Sequence, residues 1–174
     1  MPTEDLREWF QPPKIRLLLV GESPPRNEDQ FFYRGGNMQK FTMKAFEKAH
    51  SRTFSDSKEF LCYFKNCGCF LDDLSHIPVF EMQGRQRKNH LRDQVEELSE
   101  RINDFKPLAV VGVGLGIKKY IFQAAELSEW QAKQVIAIPF AGRGHQNTYV
   151  EQLAALIRSW VLEESVCEHS SCID

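Results

Sequence analysis

The chain has no apolar run long enough to cross a bilayer. Its longest, Ile15 to Val20 and Leu108 to Val113 with their neighbours, fall far short of the roughly 20 residues a spanning helix needs. The segment Met1 to Trp9 carries Glu4, Asp5 and Glu8 and lacks the basic-then-apolar order of a secretory signal, so a cytoplasmic protein without a membrane partner is expected. Cysteine is sparse and odd in number, five residues in all, which argues against a disulfide framework and for reduced thiols. Cys67-Gly68-Cys69 is tighter than a two-residue ligand knuckle, and Cys167 and Cys172 lie in a Glu- and Ser-rich stretch, so neither metal nor cofactor is expected. Internal repeats and low-complexity tracts are also missing, which excludes solenoids and fibrous classes. Neither sign of charge dominates: a formal net charge of -2 excludes a wholly basic protein that coats nucleic acid, and leaves a local basic groove open.

What is there is ordinary globular material. With 174 residues, 42% hydrophobic and 26% charged, the chain suits one domain with a sizeable core. That domain is expected over residues 1–162, a monomer, followed by a flexible acidic, Ser-rich tail over 163–174. Ile15 to Val20, apolar but for Arg16, is a run of strand length between Pro12-Pro13 and Gly21, the pattern of a strand covered on both faces. Cys69 to Leu74, Leu108 to Val113 and Val135 to Phe140 follow suit. Helical patterns lie between them at Lys40 to His50, Ser57 to Asn66, Asn89 to Phe105, Ile117 to Leu127 and Asn147 to Trp160; Leu91, Val95, Leu98 and Ile102 make one apolar stripe on the third of these. Strands alternating with helices predict an α/β fold, a three-layer α/β/α sandwich around a central, mainly parallel four-stranded sheet.

Such sheets bind ligands beyond the carboxyl ends of their strands, so four loops carry the functional reading. Gly112-x-Gly114-x-Gly116 has its third glycine one residue too early for a dinucleotide fingerprint and reads as a tight strand-to-helix turn. Gly21-Glu22-Ser23-Pro24-Pro25 ends a buried strand in a carboxylate followed by two stiff prolines; Glu22 either faces the cleft or caps a backbone turn. Phe31-Phe32-Tyr33-Arg34-Gly35-Gly36-Asn37 offers aromatic faces to a planar ligand or fills core beneath a long loop. Gly84 to Arg92 concentrates Arg85, Arg87, Lys88, Arg92 and His90 with no acid before Asp93. That charge suits phosphates; the other reading is a solvated helix start, which a helix dipole disfavours for cations.

Together these segments resemble the uracil-DNA glycosylase superfamily, nearest its mismatch-specific and thermophile-type branches. Arg16-Leu17-Leu18-Leu19-Val20-Gly21-Glu22-Ser23-Pro24-Pro25 looks like the first motif, an apolar strand followed by Gly-x-x-Pro-Gly. Gln30 to Phe41 resembles the aromatic loop that stacks on the flipped base, Leu98 to Leu115 the helix, Pro, strand and Gly segment, and Ile136 to Ile157 the second motif with its closing helix. The likeness spans roughly residues 14 to 160 in motif order.

The resemblance implies base excision from DNA by a monofunctional glycosylase acting on uracil or another modified pyrimidine. Glu22 matches the thermophile-type motif-one Glu and would hold water and offset positive charge at C1′, while Ser23 stands where the mismatch branch keeps Asn. Pro25 replaces the motif's terminal Gly and removes a backbone donor. In Phe140-Ala141-Gly142-Arg143-Gly144-His145 the usual His-Pro-Ser is lost, leaving His145 as the loop's one imidazole and, with Glu22, the implied catalytic residue. The implied base-binding set is Ser23, Phe32, Asp73 and Phe140, with Phe32 stacking. Asp73 falls near a pyrimidine-reading Asn, and as an ionised acceptor it would suit an amino group rather than O4 of uracil unless it is protonated or structural. The implied DNA-binding set is Arg85, Arg87, Lys88, His90, Arg92 and Arg143. Arg87-Lys88-Asn89-His90 partly echoes a Lys-Arg-Arg-Ile-His insertion of a covalent, uracil-trapping branch, in which His90 would be the nucleophile. The four clustered cysteines of the iron-sulfur branches are absent, so no cluster is implied. A catalytically silent nucleic-acid-binding module of the same fold is the alternative.

Overall fold

A computed structural model describes residues 2–161 of the chain; the tail expected over 163–174 lies outside the described residues. Four strands, β1 (Leu17–Gly21), β2 (Cys69–Asp73), β3 (Ala109–Val113) and β4 (Gln134–Ile138), form one all-parallel sheet in the order β2-β1-β3-β4. Every residue of β1, β2 and β3 is buried, which explains why their sequences read as continuous apolar runs rather than alternating ones, save for the two acids that end β2. β4 is an edge strand and only half-buried. It stops at Ile138, short of the expected Phe140, because Pro139 has no N–H to continue a ladder.

The helices are α1 (Thr3–Phe10), α2 (Gly36–His50), α3 (Ser57–Asn66), α4 (Gly84–Asp93), α5 (Val95–Phe105), α6 (Lys118–Leu127) and α7 (Gln146–Val161). One layer packs α2 along α7 and against α3; the other packs α5 along α6 with α4 beside them. The result is the three-layer α/β/α sandwich. Tyr149 of α7, fully buried, joins its layer to α2 through a 2.7 Å hydrogen bond with Thr42 Oγ1. The strand order reverses at β1, which has β2 on one side and β3 on the other, so β1 leads into the crevice where open α/β sheets bind ligands.

Three local expectations are corrected. The single helix expected over Asn89 to Phe105 is two, α4 and α5, meeting at Gln94, and the basic stretch from Gly84 is helical rather than a loop. α1 is a further element, fixed to β2 by charges described below. Cys67 is disulfide-bonded, so an odd cysteine count does not keep this thiol reduced; Cys69 is a free thiol, pushed up to about 12 by burial.

Candidate active site

The site is built outward from the end of β1. A Cβ on Gly21 would lie 2.3 Å from Asp73 Oδ1, so only glycine lets the β2 carboxylate come this close. The ladder continues past both strands: Leu74 N–H donates to Gly21 O at 2.9 Å and Ser75 N–H to Glu22 O at 3.0 Å. The chain therefore leaves the sheet rigidly, and Glu22 projects half-buried at its carboxyl end. Its carboxylate is forked by the Arg87 guanidinium of α4, with Nε donating to Oε1 at 3.0 Å and Nη2 to Oε2. Ser23 Oγ accepts from Val79 N–H at 3.3 Å and donates to Pro24 O at 3.3 Å, tying the β1 loop to the β2 loop. Two of the expected groups, Glu22 and Arg87, thus meet although 65 positions separate them.

Asp73 does not face the crevice. It is 4% exposed, and its Oδ2 accepts from Arg7 Nη2 at 2.7 Å while Oδ1 faces Gly21. Asp72 beside it accepts from Arg7, Arg101 and His76 at 3.3, 2.7 and 2.8 Å. Arg101 also donates to the Asp73 carbonyl at 2.8 Å, so two buried acids at a strand end are neutralised by cations from α1 and α5. Burial pushes Asp73 up to about 7; Arg7 opposes the rise and the Asp72 charge adds to it. Burial also acts to raise Asp72, but the His76 hydrogen bond and the Arg101 and Arg7 charges outweigh it and hold that carboxyl below its ordinary value. Asp73 is corrected from base-binding to structural: it supports the Gly21 turn from beneath. Arg7, Asp72, His76 and Arg101 form a cluster the sequence reading omits, and the signal for it was two adjacent acids ending an otherwise apolar strand, which cannot be buried without cations.

Phe32 is corrected as well. It is 3% exposed and packs edge-on against Tyr33 and tilted against Phe64, so it fills core instead of offering a face to a base. The same loop has a structural task. Tyr33 Oη accepts from Leu71 N–H at 2.7 Å and donates to Leu71 O at 3.0 Å, satisfying the outward-facing backbone of the β2 edge as a neighbouring strand would. Burial raises the Tyr33 phenol well above its ordinary value.

His90 turns inward from α4. Its Nε2 lies 2.8 Å from Ser75 Oγ, whose own proton goes to Ile77 O at 2.8 Å. The serine oxygen must then accept, which places a proton on His90 Nε2 and ties that nitrogen to the β2 loop. His90 is thus engaged through Nε2 in a contact under the β2 loop, which the sequence reading, casting it as a nucleophile or a DNA contact, did not foresee. Arg85, Arg87, Lys88 and Arg92 remain exposed on α4, Arg92 beside Asp93 at 3.3 Å.

The β3 loop is the expected tight turn: Gly114, at φ +119°, leads through a single 3-10 turn into α6. Gly114 N–H donates to Ile138 O at 2.8 Å, joining this loop to the end of β4. Beyond β4, Phe140 is 48% exposed and its ring covers Gly142, where a Cβ would lie 2.8 Å from it. Arg143 and Gly144 both take positive φ, 52° and 87°, and His145 stands exposed just before α7. Arg143 and His145 leave the same end of the sheet as Glu22. β3 separates β4 from β1, so the two loops start two strand spacings apart, roughly 10 Å. Among the described residues no hydrogen bond joins His145 to Glu22, and no group of three or more His, Cys, Asp or Glu is placed to hold a metal ion. No helix of the described residues is long and apolar enough to cross a membrane.

No protein-family model matches the chain, and no curated protein matches it.

Proposed function

We propose that the chain is a DNA glycosylase hydrolysing the N-glycosidic bond of uracil or another modified pyrimidine. The observation that carries this reading is Glu22: a half-buried carboxylate at the carboxyl end of β1, where the strand order reverses, with a helix of exposed cations beside it. Hydrolysis requires a water oxygen to bond to C1′ as the C1′–N bond breaks, the bonding pair leaving with the base and the water proton passing to it or to solvent. A carboxylate at Glu22 would orient that water and offset the developing positive charge on the sugar. Arg87 holds this carboxylate in the free protein, and a DNA phosphate would compete for the same guanidinium. The exchange is cheap because an exposed ion pair is worth only about 0–1 kcal/mol.

The test is incubation with oligonucleotides carrying uracil, mispaired thymine, hypoxanthine or bulky modified cytosines, followed by alkaline cleavage of abasic sites. Scission of a pyrimidine substrate is the expected result. A silent nucleic-acid-binding module is favoured by the burial of Phe32 and by Pro25, which together leave the loop short of a stacking ring and a backbone donor. Absence of scission on every substrate decides for it.

A further inference from the structure

We infer that the carboxyl end of the sheet binds single-stranded DNA, with Phe80 and Phe140 as its base-stacking platforms. This deepens the glycosylase reading by naming the form of DNA that the same site takes, and it rests on that reading only for its location.

The described residues expose seven large hydrophobic side chains, and four of them sit in loops that follow strands: Ile77 and Phe80 after β2, Leu115 after β3 and Phe140 after β4. All four strands run parallel, so these loops share one end of the molecule. They are also tied to one another. Val79 N–H bonds Ser23 Oγ, Tyr120 Oη of α6 bonds Lys88 O of α4 at 3.2 Å, and Gly114 N–H bonds Ile138 O. The apolar groups therefore stand at the same end of the sheet as Glu22, Phe80 beyond one edge strand and Phe140 beyond the other.

Burial offers no explanation for the two phenylalanines, which are 47% and 48% exposed. Phe80 is held from one side, the Arg26 guanidinium lying 5.3 Å from its ring centroid. Arginine so placed gives a stacked base a cationic backing. Charge selects the occupant. The cation-bearing α4 begins four positions after Phe80 and Arg143 follows Phe140 by three, in a protein that is net negative. Exposed aromatic faces interleaved with local positive charge fit a strand whose bases are unstacked and whose phosphates need neutralising. Duplex DNA offers the phosphates and keeps its base faces closed.

The experiment measures dissociation constants by fluorescence anisotropy at fixed salt. Its probes are an oligothymidylate of about 15 nucleotides, a duplex of equal length and the matching oligouridylate, against the full chain and its Phe80→Ala, Phe140→Ala and double variants. Thermal melting checks that each variant folds. Tighter binding of the DNA single strand than of the duplex, weakened about tenfold by each substitution with the salt dependence unchanged, is the expected result. Equal or tighter binding of the duplex, tighter binding of the RNA strand, or single-strand affinity indifferent to both rings would overturn the inference. So would self-association of the wild type in sedimentation that the double variant abolishes, since that makes the apolar rim a protein interface. Single-strand binding that needs both rings without any base excision refutes the glycosylase reading and leaves this one standing; excision with ring-independent binding does the reverse.

Discussion

At Glu22 two demands meet on one side chain. Its carboxylate is partnered by Arg87 and only about a third exposed, so its charge is useful to a reaction only when the arginine moves to a phosphate. Glu22→Gln keeps the shape and deletes the charge, and the surface pair it removes is worth at most about 1 kcal/mol. Melting temperature should hold and DNA affinity should hold or rise slightly, since Arg87 is freed for phosphate, while excision falls by about 100-fold or more, the scale of a positioned acid-base group; single-turnover rates on a uracil oligonucleotide check it, and undiminished excision would remove Glu22 from the reaction. Gly21 answers to packing alone. In Gly21→Ala the added methyl meets Asp73 Oδ1, an atom that cannot swing away because Arg7 grips the same carboxylate at 2.7 Å. Overpacking of this kind should cost about 1–3 kcal/mol in urea denaturation, and a neutral substitution would show that the β2 end is softer than its hydrogen bonds indicate.

Elements are joined here by charge as much as by apolar contact. α1 is short and presents few apolar groups, yet Arg7 carries it into the acids ending β2, where Arg101 arrives from α5. The clasp has a pH dependence whose sign follows from the shifts. An unfolded Asp titrates near 3.9 and folded Asp73 near 7, so between about 4 and 7 the folded chain keeps a proton that the unfolded chain has released. Stability from Asp73 then falls as pH rises through that window and is level above it. Asp72, held low, does the opposite: its contribution is present above the ordinary carboxylate value and is lost as pH drops through its folded one. Asp73→Asn should therefore gain on wild type between about pH 5 and about pH 8 in urea midpoints; a gap that is constant or shrinks would place the proton elsewhere. The clasp also marks what sequence could and could not show. β1, β2 and β3 were legible because strands buried on both faces leave apolar runs, broken in β2 only by its two terminal acids. α1 was not, because its anchor depends on acids 65 and 66 positions away. The cation-rich start of α4 opposes the helix dipole and still folds as helix, anchored by buried Leu91. Phe32 and Tyr33 were ambiguous by composition, and the unpaired edge of β2 decided their place by claiming the Tyr33 hydroxyl. Glu22 was legible from the glycine and prolines around it; its partner on α4 was not.

For the molecule as a whole, the question is whether a net negative protein can present a basic face to DNA. The four cations of α4 are not equivalent. Arg85 and Lys88 have no ion-pair partner among the described residues, whereas Arg87 is engaged by Glu22 and Arg92 by Asp93. If only the first two reach phosphates, replacing all four by Ala should flatten the plot of log affinity against log salt by about 1.8 on duplex DNA, at about 0.9 per contact; if Arg87 and Arg92 exchange carboxylate for phosphate, the change approaches about 3.6. The proposed release of Glu22 requires the exchange at Arg87, so the quadruple variant should flatten the slope by about 2.7 or more. Arg87→Ala alone should account for about 0.9 of it. Salt titrations of wild type, Arg87→Ala and the quadruple variant separate these cases. A slope unmoved by Arg87→Ala would mean that the guanidinium stays on Glu22 in the complex, leaving the carboxylate neutralised and the hydrolytic role without its charge. A slope unmoved by all four replacements would make α4 a solvated surface with no part in binding DNA.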